Sequence, residues 1–143
     1  MLADWDATVN GRDVPKPVVD FAEVGLPPSF LQSIYAQKFT KPTAIQAVGW
    51  PSALTGRDLV GIAKTGSGKT LAFSLPGMVH LKHQPPLQRG DGPIVLVLTP
   101  TRELAQQILE VANNFGSHSG IRSVCVYGGA PKGPQLRDLE RGL

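Results

Sequence analysis

Residues 58–70 read Asp58-Leu59-Val60-Gly61-Ile62-Ala63-Lys64-Thr65-Gly66-Ser67-Gly68-Lys69-Thr70, and the reading of this stretch decides the fold. A short apolar run enters a glycine-bearing turn and leaves it as Lys-Thr, at the head of a helical segment reaching towards Leu81. Strand, glycine turn and helix in that order form a P-loop, a cradle for phosphate. The glycines let successive backbone N–H groups curl inward, and the helix N-terminus adds positive partial charge. Lys69 supplies a point charge for the β- and γ-phosphates, and the Thr70 hydroxyl is placed to ligate Mg²⁺. The cradle comprises Ala63, Lys64, Thr65, Gly66, Ser67, Gly68, Lys69 and Thr70, with Ala63 standing where the general pattern opens on glycine. A plain strand-to-helix turn would leave Lys69 and Thr70 unexplained.

Working outward, the same alternation recurs. Ile94-Val95-Leu96-Val97-Leu98 is apolar at every position, as expected of a strand covered on both faces. A third apolar run, Ser123–Tyr127, ends at Gly128-Gly129. Between them Thr101 to Phe115 predicts a helix. Leu104, Ile108, Val111, Ala112 and Phe115 share one face, Glu103, Gln106, Gln107 and Glu110 the other, and Thr101 caps the start. A last helical segment runs from about Gln135 to Arg141. Upstream, one helix follows Pro27-Pro28-Ser29, and a second follows Pro42-Thr43 and reaches about Leu54, stopped by Gly56. Three repeats of strand then helix predict an α/β fold with a parallel, doubly wound sheet. Ligands of such sheets bind beyond the carboxyl ends of the strands. The segments 64–70, 100–103 and 128–129 are all expected there.

Composition narrows the class. A chain of 143 residues with 41% hydrophobic and 17% charged residues has material for about one domain. A net charge of +3 permits a polyanionic partner without demanding one, so any nucleic-acid reading must rest on motifs. The single cysteine, Cys125, excludes an internal disulfide. The three histidines, His80, His83 and His118, supply no metal-ligand set. The first residues lack the apolar core of a signal peptide, and no stretch approaches the length of a membrane span. The chain is expected to be intracellular and soluble, whether nuclear or cytoplasmic being left open.

Upstream of the P-loop stands Phe39-Thr40-Lys41-Pro42-Thr43-Ala44-Ile45-Gln46, which resembles the Q motif of DEAD-box RNA helicases. The family carries an isolated aromatic 17 residues before that motif, and here Phe21 stands 17 residues before Lys38. Lys38 itself occupies a position where the family usually has glycine. Pro100-Thr101-Arg102-Glu103-Leu104-Ala105-Gln106 is similar to motif Ia, and Gly128-Gly129 to the GG motif. These motifs stand in family order, and the resemblance runs from about residue 11 to 143. The arm Gly11-Arg12-Asp13-Val14-Pro15-Lys16-Pro17 looks like one branch of the family.

The resemblance implies a RecA-like P-loop NTPase domain that uses ATP and Mg²⁺. It implies that Phe21 stacks on adenine while Gln46 reads its polar edge, with Phe39, Thr40 and Lys41 beside them. An amide offers a donor and an acceptor side by side, which suits adenine N6 and N7. It also implies that Pro100, Thr101, Arg102, Gly128 and Gly129 hold an RNA backbone. Helix N-terminal amides, a guanidinium and bare glycine backbone are chemically apt for phosphate and carry no sequence information. The expected organisation is an extended arm over 1–20, a Q-motif helical region over 21–56, and a partial RecA-like ATP-binding domain over 57–143.

Phosphoryl transfer also needs a carboxylate at the end of another apolar strand. None of the eleven acidic residues follows four consecutive apolar ones, and neither Asp-Glu-Ala-Asp nor Ser-Ala-Thr occurs. The domain is therefore expected to be incomplete at its C-terminal end and to lack the second RecA-like domain. Three readings stand side by side: part of an ATP-dependent RNA helicase, a truncated module that binds nucleotide or RNA without turnover, and another P-loop enzyme such as a small-molecule kinase. The Q-motif spacing argues against the last.

Overall fold

A computed structural model describes residues 6–141. It contains the helices α1 (Pro28–Ala36), α2 (Ala44–Ala53), α3 (Lys69–Lys82), α4 (Arg102–Gly116) and α5 (Lys132–Glu140), with short 3₁₀ turns at Phe21–Val24 and Ser117–Ser119. Each start has a local cause. Pro28 opens α1, where its missing N–H has no partner to lose. The amide of Thr43 donates to Gln46 Oε1 at 3.0 Å, the backward half of a capping box on α2. The hydroxyl of Thr101 accepts from Leu104 N at 3.2 Å, capping α4 as its sequence suggests. Helix α5 begins at Lys132, ahead of the expected Gln135, because Pro134 falls in the first turn, where proline is tolerated.

Helix α2 packs on α3, and α4 packs on both α1 and α3. The core they enclose holds Phe21, Leu26, Phe30, Ile34, Trp50, Leu71, Leu75, Met78, Phe115 and Ile121. Trp50, fully buried, also needs a partner for its indole N–H, and it donates to Leu71 O at 3.4 Å. That bond ties the middle of α2 to the first turn of α3, immediately behind the phosphate cradle.

Helix α2 contains Pro51, which has no N–H to offer the carbonyl of Ala47 one turn earlier. The amide of Val18 fills the gap, donating to Ala47 O at 3.0 Å. The Arg57 guanidinium holds the same arm further along, donating to Arg12 O at 2.9 Å and Asp13 O at 2.8 Å. Residues 9–18 thus lie along the protein, with Val18 itself buried.

The three expected strands differ from the sequence reading. Among the described residues no strand ladder forms at 59–63, 94–98 or 123–127. The first two runs nevertheless alternate. A methyl at Gly49 in α2 would touch Leu59, and one at Gly77 in α3 would touch Val95, so one side of each run leans on a helix. The other side points away: Val60 is 89% exposed, Ile62 93%, Leu96 72% and Leu98 85%. For 94–98 the unbroken apolar pattern predicts cover on both faces, and here α3 lies against one of them. A period of two is strand geometry, and the segments keep it without the pairing.

Candidate functional site

The phosphate cradle lies where the first apolar run meets α3. Gly66 and Gly68 both adopt left-handed backbone, at φ +78° and +85°. Gly68 has a second constraint besides its φ. A Cβ there would stand 2.6 Å from Gln46 Nε2 and 2.9 Å from Thr43 Oγ1, so any other residue would have to push these side chains aside. At Gly66 nothing lies within 4 Å of that position, which leaves the backbone there open to approach. The Lys69 ammonium donates to the carbonyls of Ala63 and, at 2.8 Å, Lys64, which curls the side chain back across its own loop. Inside the loop, the buried Ser67 hydroxyl has no partner among the described residues. A buried polar atom without a partner calls for one, and its place in the cradle fits an oxyanion ligand. Thr70 follows in the first turn of α3, half-buried.

The Q-motif residues meet this loop through Thr43 and Gln46, and Gln46 makes the hydrogen bond. Gln46 is buried; its Oε1 accepts from Thr43 N and its Nε2 donates to Gly68 O at 3.2 Å. The amide that sequence reasoning set aside for a base therefore also fastens α2 to the P-loop. Phe39 is partly exposed and stacks on Phe115, with ring centroids 6.1 Å apart and planes 22° apart. Thr40 and Lys41 are exposed on the approach to α2.

The resemblance puts Phe21 against adenine; in this structure its ring is 1% exposed. Its ring meets Tyr35 edge-on at 6.1 Å and Trp50 at 5.9 Å. Phe21 supports the site from behind, through Trp50 and the bond to Leu71.

The second group of expected residues also comes together. Arg102, first in α4, donates from Nη2 to Gly128 O at 2.9 Å. Its guanidinium carbon stands 4.3 Å from the centre of the Tyr127 ring, a cation–π contact. Gly129 lies so close that a Cβ would meet Arg102 Nη2 at 3.3 Å. Pro100 and Thr101 are exposed beside it. Sequence reasoning missed two residues here. Gln135, in the first turn of α5, accepts from Tyr127 N at 2.9 Å through Oε1 and donates from Nε2 to Tyr127 O at 3.3 Å and Pro131 O at 3.2 Å. Only the aromatic directly before two glycines could have drawn attention to the pair.

Among the described residues no three His, Cys, Asp or Glu side chains gather where they could hold a metal ion. Nor is any helix there long and apolar enough to cross a membrane.

A family model described as DEAD/DEAH box helicase matches residues 43–143, from the cap of α2 through the cradle and both later motifs. The chain belongs to the DEAD/DEAH box helicase family. Within it, the chain is 62% identical over 140 residues to the ATP-dependent RNA helicase DBP2 of Chaetomium thermophilum, covering 98% of this chain and 25% of that one. It is 61% identical over 138 residues to the DEAD-box ATP-dependent RNA helicase 30 of Arabidopsis thaliana, covering 96% of this chain and 23% of the relative. The chain thus spans about a quarter of the length of these DEAD-box relatives. Among solved structures, the RNA helicase Prp28 from Chaetomium thermophilum bound to ADP superposes with a TM-score of 0.83 at 40% identity, over 92% of this chain and 32% of that one. Yeast Prp28, a DEAD-box splicing factor, gives a TM-score of 0.81 at 31% identity over 96% of this chain and 33% of its own.

Proposed function

We propose that this chain is the ATP-binding part of an ATP-dependent RNA helicase, built on a RecA-like domain whose parallel sheet uses the three apolar runs. The observation that carries the reading is the hydrogen bond from Gln46 to Gly68 O, which joins a base-reading motif to a phosphate-binding one. An amide has two N–H donors and two lone pairs on its oxygen. One of each is engaged with Gly68 and Thr43, and one of each remains for the N6 and N7 edge of adenine. The open backbone at Gly66, the unpartnered Ser67 hydroxyl and the Lys69 ammonium then face phosphate. Thr70 is the side chain that would hold Mg²⁺, which when bound neutralises charge on the β- and γ-oxygens. With no carboxylate cluster among the described residues, the ion would rest mainly on the nucleotide.

Calorimetry on this chain with ADP, ATP and GTP tests the reading. Adenine nucleotides should bind, with GTP weaker by about tenfold or more, since guanine O6 opposes an acceptor where adenine N6 offers a donor; such a buried mismatch costs about 1–3 kcal/mol. Equal GTP affinity would remove the role given to Gln46. Failure of all three nucleotides to bind would remove the whole proposal.

Arg102, the start of α4 and the Gly128-Gly129 backbone form the RNA-contacting edge in this reading, and recognition there should be sequence-tolerant. Turnover and strand separation are properties of the longer protein, in which a second RecA-like domain and the missing carboxylate complete the site. The chain alone, with Lys69 and Thr70 as its only catalytic side chains, should release no phosphate in response to RNA. An intracellular, soluble setting accompanies the reading.

A further inference from the structure

We infer that Tyr127 and Gln135 are positioning residues that set the Arg102 guanidinium for RNA phosphate; the inference rests on the RNA-contacting role proposed for Arg102 and the two glycines. The side-chain amide of Gln135 grips both backbone polar groups of Tyr127, as a neighbouring strand would. That double bond fixes the backbone from which the Tyr127 ring projects. The ring lies under the guanidinium at 4.3 Å, and the carbonyl of the next residue, Gly128, takes one of its N–H groups. Of the five guanidinium donors, one is engaged with Gly128. The others belong to a side chain that remains exposed.

The physical benefit is pre-organisation. A free arginine loses most of its rotamer freedom when it grips a phosphate. Here the planar head is already oriented by a ring below and a carbonyl beside it, so much of that ordering precedes binding. A merely structural reading competes with this one. Gln135 also donates to Pro131 O, an ordinary bond within the first turn of α5, and on that view its amide only caps the helix.

The two readings part over salt. Binding to a single strand weakens with salt in proportion to the phosphates neutralised, by about 0.7 in log–log slope per contact. Removing an uncharged residue changes that slope only if it misplaces a charged one. Binding of fluorescein-labelled oligouridylate to this chain is measured by anisotropy across a salt series, for the parent, Arg102→Ala, Gln135→Ala, Tyr127→Leu and Tyr127→Phe. Circular dichroism and ADP affinity report the fold of each variant. The expected result is a loss of about three- to tenfold for Gln135→Ala and Tyr127→Leu. Their slopes should become shallower and approach that of Arg102→Ala, although neither substitution removes a charge. Tyr127→Phe keeps the ring and should behave as the parent. Parent-like slopes in both neutral variants would overturn the inference.

If the parent binds no RNA, the proposed RNA edge fails and the inference falls with it; RNA binding by the parent with parent-like slopes in both neutral variants overturns the inference alone.

Discussion

The two candidate sites of this molecule are held by opposite means. The phosphate cradle stands on the core: Phe21 backs Trp50, Trp50 bonds to α3, and buried Gln46 fastens α2 to Gly68. The edge around Arg102 stands on contacts near the surface, a cation–π pair and a few hydrogen bonds to exposed backbone. A buried bond between neutral groups is hard to replace, because its loss leaves polar atoms without water. An exposed one is readily exchanged for solvent. Changes at the buried contacts that fasten the cradle to the core should therefore appear as lost stability as well as lost binding, and changes at the Arg102 edge as lost RNA affinity alone.

The sharpest attempt to break this contrast is Gly68→Val. It forces a branched side chain into left-handed backbone and against Gln46 and Thr43. Backbone strain and overpacking together should cost about 2–4 kcal/mol, seen as a fall in the denaturation midpoint with nucleotide binding lost. A midpoint equal to the parent's would show that the cradle is not tied to the core.

Lys69→Ala separates binding from folding inside the same loop. The ammonium contacts only loop carbonyls of Ala63 and Lys64 among the described residues, so ADP affinity should fall by about a hundredfold, with the midpoint nearly unmoved. Undiminished ADP affinity by calorimetry would take phosphate away from Lys69.

Gln46→Ala is milder and more diagnostic. Losing the bonds to Thr43 N and Gly68 O should destabilise by about 1–2 kcal/mol, and the preference for adenine over guanine should shrink with it. Stability lost while the preference persists would confine Gln46 to fastening the loop.

The smallest effect has the opposite sign. Lys38, where the family usually carries glycine, sits at φ +62° after α1. Lys38→Gly relieves left-handed strain of about 1–2 kcal/mol and gives back part of it through a more flexible unfolded chain. A net gain of about 0.5–1 kcal/mol should appear in urea denaturation, with RNA affinity unchanged.

The sequence disclosed what depends on local chemistry. Pro27-Pro28, Pro42-Thr43 and Thr101 mark helix starts because capping and proline geometry act within a turn, and the apolar stripe of α4 marks the side on which Val111, Ala112 and Phe115 meet the core, while Leu104 at its head stays exposed. The cradle was legible because its residues are contiguous. What escaped depends on direction and partners. Phe21 lies at the family's spacing, yet spacing along a chain does not say which way a ring points, and this one points into the core. The run 94–98 shows the apolarity of a covered strand without showing what covers it. The grip of Gln135 on Tyr127 joins an α5 side chain to a loop backbone, and no periodicity encodes that.

The pairing of Pro51 with Val18 has a practical side. A proline inside a helix is usually a local blemish, but here the vacated carbonyl is taken by a donor from the arm. The helix that delivers Gln46 to the P-loop is thereby completed by a residue far upstream of it. Shortening the chain from its N-terminus should be harmless until Val18 is removed and then abruptly costly, since the buried Ala47 carbonyl would be left facing a proline ring. In evolutionary terms Pro51 and the arm form a pair: a lineage that discards one gains by discarding the other, and the two should come and go together among relatives.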